Sequence, residues 1–469
     1  MRLQTFAVAF VNFTAAATAN TNRARCKASI FQKYIDANGT QARVQWATHI
    51  PQNGSFNPMN FPSVSEYPTN LPEGCGVQIN VKSEGNSSYL VGLIMPYEWN
   101  GRLLSAASGR GINWVDMGTG TNYGFATLSS NLGHVGINTA GTWAIDRPQA
   151  VIDWGYRAWH DATGLGKLFI EEWYGSAAEY SYFYGCSTGG RQSMKNMQEY
   201  PDDYDGILAG APAWWTTHQQ LYNLKQTTYQ APANSSHTIP EKVFDILATE
   251  VLKQCDPQDG LVDTIISNPK GCNPNTLMCN STSTADECLT DAQLNTLYKI
   301  YNDWVDVNQT YVYGHMWLGS EASWLLGNIG LGEDSTIDQQ LCTVELANKL
   351  NPGNATADKY DISAFQKRGG KFLHYHGLVL KLQGIEVDDF YRMFFLIPGM
   401  DVPGYRDAKH DIILAMMSWV ENGTAPDSII ATKWKNDTTA TNVLRQRPIC
   451  HYPYQAKYDG KGDPDEASN

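Results

Sequence analysis

No Cys-x-x-Cys pair occurs in the 469 residues, although the chain holds nine cysteines. Closely spaced pairs of that kind are the usual frame of a structural zinc site. Without them, Cys26, Cys75, Cys186, Cys255, Cys272, Cys279, Cys288, Cys342 and Cys450 point to disulfides in an oxidising compartment. Lysine and arginine are not clustered, and 34 of them against 47 acidic residues leave a formal charge of −13. Binding a phosphate backbone needs a basic stripe, so a nucleic-acid partner is excluded and the acidic balance serves solubility. Past the N-terminus no apolar run approaches the length of a membrane span. Internal repeats and low-complexity tracts are also missing. With 42% hydrophobic and 12% aromatic residues, the composition is that of a large folded protein rather than a disordered tail.

Such a length exceeds one compact core, so a main body plus a second, inserted or appended region is expected. Met1-Arg2-Leu3, the apolar stretch Thr5 to Val11 and Ala17-Thr18-Ala19 give residues 1–19 the pattern of a secretory signal peptide with an Ala-x-Ala cleavage site. Asn-x-Ser/Thr acceptors at Asn38, Asn53, Asn86, Asn234, Asn280, Asn308, Asn354, Asn422 and Asn436 point the same way, to a secreted glycoprotein.

From residue 20 to 213, short apolar runs such as Val91 to Met95 and Tyr182-Phe183-Tyr184 alternate with Gly-rich turns, with a helical stretch between Tyr156 and Trp173. This is an α/β pattern. Residues 214–358 differ. They open polar and Gln-rich, predict a helix over Pro240 to Gln254, pass a cysteine-dense loop and predict another helix near Leu289 to Trp304, which reads as an inserted lid domain. Over 359–469 the strand-like runs Lys371 to Tyr375 and Tyr391 to Ile397 return, followed by a helix from about Ala408 to Glu421. The core is expected to resume there.

Gly185-Cys186-Ser187-Thr188-Gly189-Gly190 follows the strand-like Tyr-Phe-Tyr and precedes a segment, Arg191 to Met197, that can form a helix. A G-x-S-x-G serine between strand and helix is exposed as a nucleophile, its glycines allowing a strained backbone and close approach. The Thr188 backbone N–H would then face the developing oxyanion, with a second donor from an earlier Gly-rich loop. Ser108-Gly109-Arg110-Gly111 supplies the candidate, Gly109.

Gly185 to Gln192, the preceding Gly155-Tyr-Arg-Ala, the following Tyr204-Asp-Gly-Ile-Leu-Ala-Gly-Ala-Pro-Ala, and the late Ser363 to Lys371 and Arg447-Pro-Ile-Cys together resemble the tannase and feruloyl esterase family over nearly the whole mature chain. The resemblance implies hydrolysis of esters of plant phenolic acids and an α/β-hydrolase fold with a large lid. It also implies a Ser-Asp-His triad, and a disulfide from the cysteine before the serine to one after the histidine.

A serine hydroxyl near neutral pH needs a base to take its proton and an acid to orient that base. In the chain order Ser, Asp, His, the acid should follow His376-Gly377 and the base should follow Pro398-Gly399-Met400. Leu378-Val379-Leu380-Lys381 and Asp401-Val402-Pro403 stand there instead. The flanking segments join as if two pieces had been excised, and Cys186 is left without an obvious partner in an odd total; Cys342 or Cys450 would reach it only by rearrangement. His374 and His376 fall on or at the end of a strand and His410 on a helix, so structural roles are expected for all three, while Asp401 is too weak a base. The polypeptide as written is therefore expected to be inactive or nearly so. A non-catalytic secreted scaffold that binds phenolic or glycan ligands is the alternative, and an incomplete translation of a gene encoding the full triad is a third possibility.

Asp256, Asp259 and Asp263 crowd three carboxylates into eight residues around Gly260, a set that repels itself unless a hard cation lies among it. The loop resembles the family's lid calcium site, which implies side-chain oxygens from these three aspartates and main-chain carbonyls of Leu261 and Ile265. Cys255–Cys272 and Cys279–Cys288 would clip this region, the first by about 3 kcal/mol through its ring closure, and Cys26–Cys75 would tether the N-terminus. Trp214, Trp215, Tyr222, Tyr229 and Trp317 are lid aromatics available to stack on a phenolic ring or to fill a core.

Overall fold

The computed structural model describes residues 23–57, 67–107, 114, 116–134, 141–232, 234–274, 278–279, 287–321, 344–376, 390–395, 405, 407–436 and 440–467. In chain order the strands are β1 (Ala42–Ile50), β2 (Gly74–Lys82), β3 (Ser88–Pro96), β4 (Arg102–Ala107), β5 (Ala126–Ser130), β6 (Tyr180–Cys186), β7 (Gly206–Gly210), β8 (Trp304–Val305), β9 (Tyr311–Tyr313), β10 (Lys371–His376), β11 (Tyr391–Phe395), β12 (Ser428–Asn436) and β13 (Thr441–Cys450). Nine of them form one sheet in the order β1-β2-β3-β5-β4-β6-β7-β10-β11. The first four of that order pair antiparallel, and from β5 to β11 every pairing is parallel.

Central parallel strands covered on both faces must be apolar throughout. β5 and β7 are buried at every position, and β3 at all but its first. Alternation along the strands sorts side chains to two cores. Leu103, Phe183, Ile207 and Phe372 join the cluster under helices α1 (Ala28–Asn38) and α2 (Ala158–Tyr174), where Phe31 stacks between Phe169 and Trp173. Their neighbours Leu104, Tyr182, Leu208 and Leu373 point the other way, to Ile413 and Met416. The helix carrying those two, Ile412–Asn422, starts four residues later than the sequence predicts because the buried Asp411 caps it, accepting from the Ile413 and Leu414 N–H groups. His410 consequently lies in the preceding turn, not on the helix.

Between β7 and β10 the chain forms α3 (Thr216–Gln230), α4 (Glu241–Cys255) and α5 (Asp291–Ile300), with β8 and β9 as a separate pair. These helices enclose their own apolar cluster, including Ile239, Val243, Phe244, Leu247, Leu294 and Ile300. α5 starts at a capping box in which Thr290 and Gln293 satisfy each other's backbone N–H. Disulfides join Cys26 to Cys75, Cys255 to Cys272 and Cys279 to Cys288. Among the described residues Cys186 and Cys450 are free, and Cys342 lies outside them.

Candidate active site

β6 runs into a helix, Thr188–Glu199, with a single residue between them. That residue, Ser187, is exposed and holds φ 59° and ψ −118°, a region that costs a non-glycine residue on the order of 1–3 kcal/mol. The turn is held from both sides. Ser187 N–H donates to the Gly210 carbonyl at 2.8 Å, and the Ser187 carbonyl accepts from Arg191 and Ala213 N–H groups at 3.1 and 3.2 Å. The surrounding glycines are there for room. A Cβ on Gly185 would lie 2.5 Å from the Gly189 carbonyl, one on Gly190 would lie 2.5 Å from the Gly210 carbonyl, and one on Gly189 would run into the Ala107 carbonyl. Strand, turn and helix thus pack backbone against backbone, and the side chain at position 187 is turned outward.

Thr188 is the first residue of the helix, so its N–H belongs to the unpaired set at a helix N-terminus. Gly109 lies outside the described residues, as do Leu378 to Lys381 and Asp401 to Pro403, where the acid and base are expected. Among the described residues no side chain hydrogen-bonds the Ser187 hydroxyl. His374 is buried on β10, 3.1 Å from the Tyr391 hydroxyl through Nδ1; burial, with the neighbouring His376, pushes its pKa down to about 3. His376 ends the same strand. His410 is tied to Asp407 at 2.8 Å and stacks on Tyr405. Beside the turn, burial raises the Cys186 thiol, and Tyr375 from the end of β10 hydrogen-bonds it.

One set of residues in the motif has a role that sequence reasoning missed. Arg191, Lys195 and Gln198 lie one and two turns apart on the helix after Ser187 and donate to the Ala355, Thr356 and Ala357 carbonyls, at 2.9, 3.0 and 3.0 Å. Arg191 also donates to the Gly155 and Trp154 carbonyls and lies over the Trp154 ring. It is 1% exposed, and burial pulls its pKa down to about 9. Gly155 sits in a π-helical turn, Asp153–Arg157, against the Gly353 backbone, where a Cβ could not fit. The i, i+4, i+7 spacing of Arg191, Lys195 and Gln198 was the available signal.

The lid aromatics divide. Tyr222 is buried against Tyr313, and Tyr229 packs on the lid cluster between Lys225 and Lys299. Trp317 pairs with Lys270. Trp214 and Trp215 stack on each other directly after the Ala213 contact to Ser187, and Trp215 lines a cavity of about 320 Å³ with His218, Asn348, Thr356, Asp358 and Tyr360.

In the acidic loop, Asp256 and Asp263 are buried and Asp259 is exposed. Asp256 accepts from the Asp263, Thr264 and Ile265 N–H groups, and Asp259 from Leu261 N–H and the Ser267 hydroxyl. Asp263 takes the Arg447 guanidinium at 2.6 Å, and its carbonyl takes Arg445. The donor chemistry, oxygen throughout with two buried carboxylates, fits calcium. As arranged, the guanidinium groups of β13 supply the positive charge, and no three acidic, His or Cys side chains among the described residues converge as metal ligands.

A mixed sheet, parallel from β5 to β11, with a serine at a strained strand-to-helix bend on the carboxyl edge of its parallel part defines an α/β-hydrolase. Solved structures agree: a feruloyl esterase B from Aspergillus oryzae superposes with a TM-score of 0.85 at 29% identity, covering 95% of this chain and 99% of the other. A second esterase from Aspergillus oryzae gives 0.87 at 28% with the same coverage. The sequence profile described as tannase and feruloyl esterase matches residues 76–325 and 336–469. A probable feruloyl esterase B-1 of Aspergillus oryzae is 31% identical over 91% of this chain and 89% of its own length, and one of Neosartorya fischeri is 31% identical over 96% of each. The chain belongs to the tannase and feruloyl esterase family, and is by family a carboxylic ester hydrolase.

Proposed function

We propose that the chain is built to cleave esters of plant phenolic acids with Ser187 as nucleophile, and that the polypeptide as written lacks the groups needed to activate it. The left-handed backbone of Ser187 at the junction of β6 and its helix carries the reading, because a strained bend between strand and helix is what presents a serine hydroxyl as a nucleophile. In this scheme Ser187 Oγ attacks the ester carbonyl, and the oxyanion is received by the N–H groups of Thr188 and Gly109. Trp214 and Trp215 offer a stacking surface for the phenolic ring. The hydroxyl proton then needs a base. None of His374, His376 and His410 is offered for that task, the first being buried and hydrogen-bonded and the last held by Asp407.

The excision reading has support from length. The match to the Aspergillus oryzae relative runs over 488 positions, more than the 469 residues of the whole chain, so that relative carries segments this chain lacks. Secretion is supported by three disulfides and by the glycosylation acceptors. Asn38, Asn53, Asn86, Asn234, Asn308, Asn354, Asn422 and Asn436 are all exposed, and Asn280 lies outside the described residues, as do residues 1–19. Calcium would be held by Asp256, Asp259 and Asp263 with the Leu261 and Ile265 carbonyls, and would stiffen the lid.

A fluorophosphonate probe and methyl ferulate test the reading together. The protein as written is expected to resist labelling at Ser187 and to leave methyl ferulate intact, while a protein carrying segments recovered by sequencing the transcript across Val379 and Met400 should label and hydrolyse. Labelling or hydrolysis by the present chain, abolished by Ser187→Ala, would overturn the inactivity. Failure of the restored chain to label would remove Ser187 from the reaction. The missing base favours one second reading, a non-catalytic scaffold, which requires that the transcript contain no such segments.

A further inference from the structure

A second concavity lies on the same edge of the sheet. About 440 Å³ in volume, it opens between β1, β2, β3 and the segment after β5, and its walls include Gln45, Gln78, Asn80, Asn131, His134 and Trp143. Asn131 directly follows β5 and Ser187 directly follows β6, with β4 between them. Two ladder spacings place the near wall roughly 10 Å from the serine along the sheet.

The wall is built, not incidental. Pairing of β1 with β2 slips between Val44 and Trp46, a bulge that re-aims the intervening Gln45. The Gln45 side-chain carbonyl accepts from Gln78 Nε2 at 2.8 Å. Gln78 is only 2% exposed, and its own carbonyl oxygen has no partner. Asn131, also buried, uses its side-chain carbonyl on the Leu90 and Gly133 N–H groups at 2.6 and 3.2 Å, which fixes the amide and leaves its NH2 to donate elsewhere. His134 is 9% exposed and stacks on Trp143 with ring centroids 4.5 Å apart, and its Nδ1 is without a partner. Burial lowers the His134 pKa, against a hydrogen bond to the Leu132 backbone that raises it.

An orphaned buried polar atom is costly unless a ligand or water completes it. The chemistry of the wall selects the ligand. No ionised side chain is buried among the lining residues, Arg147 being exposed at the rim, so a buried anion would go uncompensated. Carboxamides from two strands and a loop suit neighbouring hydroxyls, each of which can give and take a hydrogen bond, and Trp143 suits the C–H face of a ring. We propose that this cavity is a saccharide subsite that takes one neutral sugar unit. Gln78 on β2 and Gln45 on β1 stand four and five strands from β6, so a sugar held between them is bound apart from an ester at Ser187.

Binding does not require turnover, so the two readings fail separately. Calorimetric titration of the intact protein with glucose, arabinose and xylotriose is expected to give saturable binding of at least one of them in the millimolar range. The affinity should be unchanged in Ser187→Ala and at least tenfold weaker in Trp143→Ala and in Gln45→Ala, whose folding is checked by circular dichroism; Gln45 is exposed, and its tie to the core is the bond from Gln78 Nε2. Absence of saturable binding by all three sugars, equal affinity in both folded variants, or displacement of the sugar by ferulate would each overturn the proposal.

Discussion

His374 shows how a single buried group sets a pH response. Its pKa of about 3 in the folded chain lies below the ordinary value near 6.5. As pH falls below 6.5 the unfolded chain takes up this proton before the folded one does. Stability is thus complete above that pH and declines as it falls from 6.5 towards 3. Thermal unfolding midpoints of His374→Gln should fall less steeply over that window than those of the parent; parallel curves would mean that the imidazole does not titrate differently on folding. In the sequence His374 reads as a structural histidine on a strand, and it is one. What the sequence does not disclose is Tyr391, 17 residues away, as its hydrogen-bond partner, since strand adjacency between β10 and β11 is a tertiary fact.

At the scale of elements, the helix following Ser187 joins the sheet to the segment Ala355 to Ala357. Arg191 places three N–H groups on carbonyls of two separate segments, at Trp154 and Gly155 and at Ala355. Its conversion to lysine keeps the charge but not the planar fork. Arg191→Ala, which leaves those carbonyls buried and unpaired, should lower unfolding free energy by on the order of 3 kcal/mol. Arg191→Lys should recover only part of the loss; urea denaturation reads both, and full recovery by lysine would show that charge rather than geometry matters there. The glycine pattern around Ser187 and the segment Arg191 to Met197 were legible as turn and helix because local sterics dictate them. The contact of Gly155 with Gly353 was not, because nothing local distinguishes a glycine pressed against a distant backbone from one in an ordinary turn.

For the whole molecule, the acidic loop and the β13 arginines tie the region between β7 and β10 to the C-terminal hairpin through Asp263. If calcium is the loop's cation, differential scanning fluorimetry in millimolar calcium should raise the unfolding midpoint by a few degrees over that in EDTA. Asp256→Asn should abolish the difference, and identical midpoints for the parent protein in both buffers would remove the metal from the account. No helix among the described residues is long and apolar enough to cross a membrane.

The sequence by itself determined the family, the α/β alternation, the two short-range disulfides Cys255–Cys272 and Cys279–Cys288 and the bend at Ser187, because each depends on residues close in the chain or on motifs read intact. Only the tertiary structure decided which side chains of α3 to α5 form an interior of their own, that Ala213, directly before the two tryptophans, meets Ser187, and that Gln45, Gln78, Asn131 and Trp143 share one cavity. Those relations arise when strands far apart in sequence become neighbours, and an unpaired carboxamide is recognisable as such only after every possible partner has been placed around it.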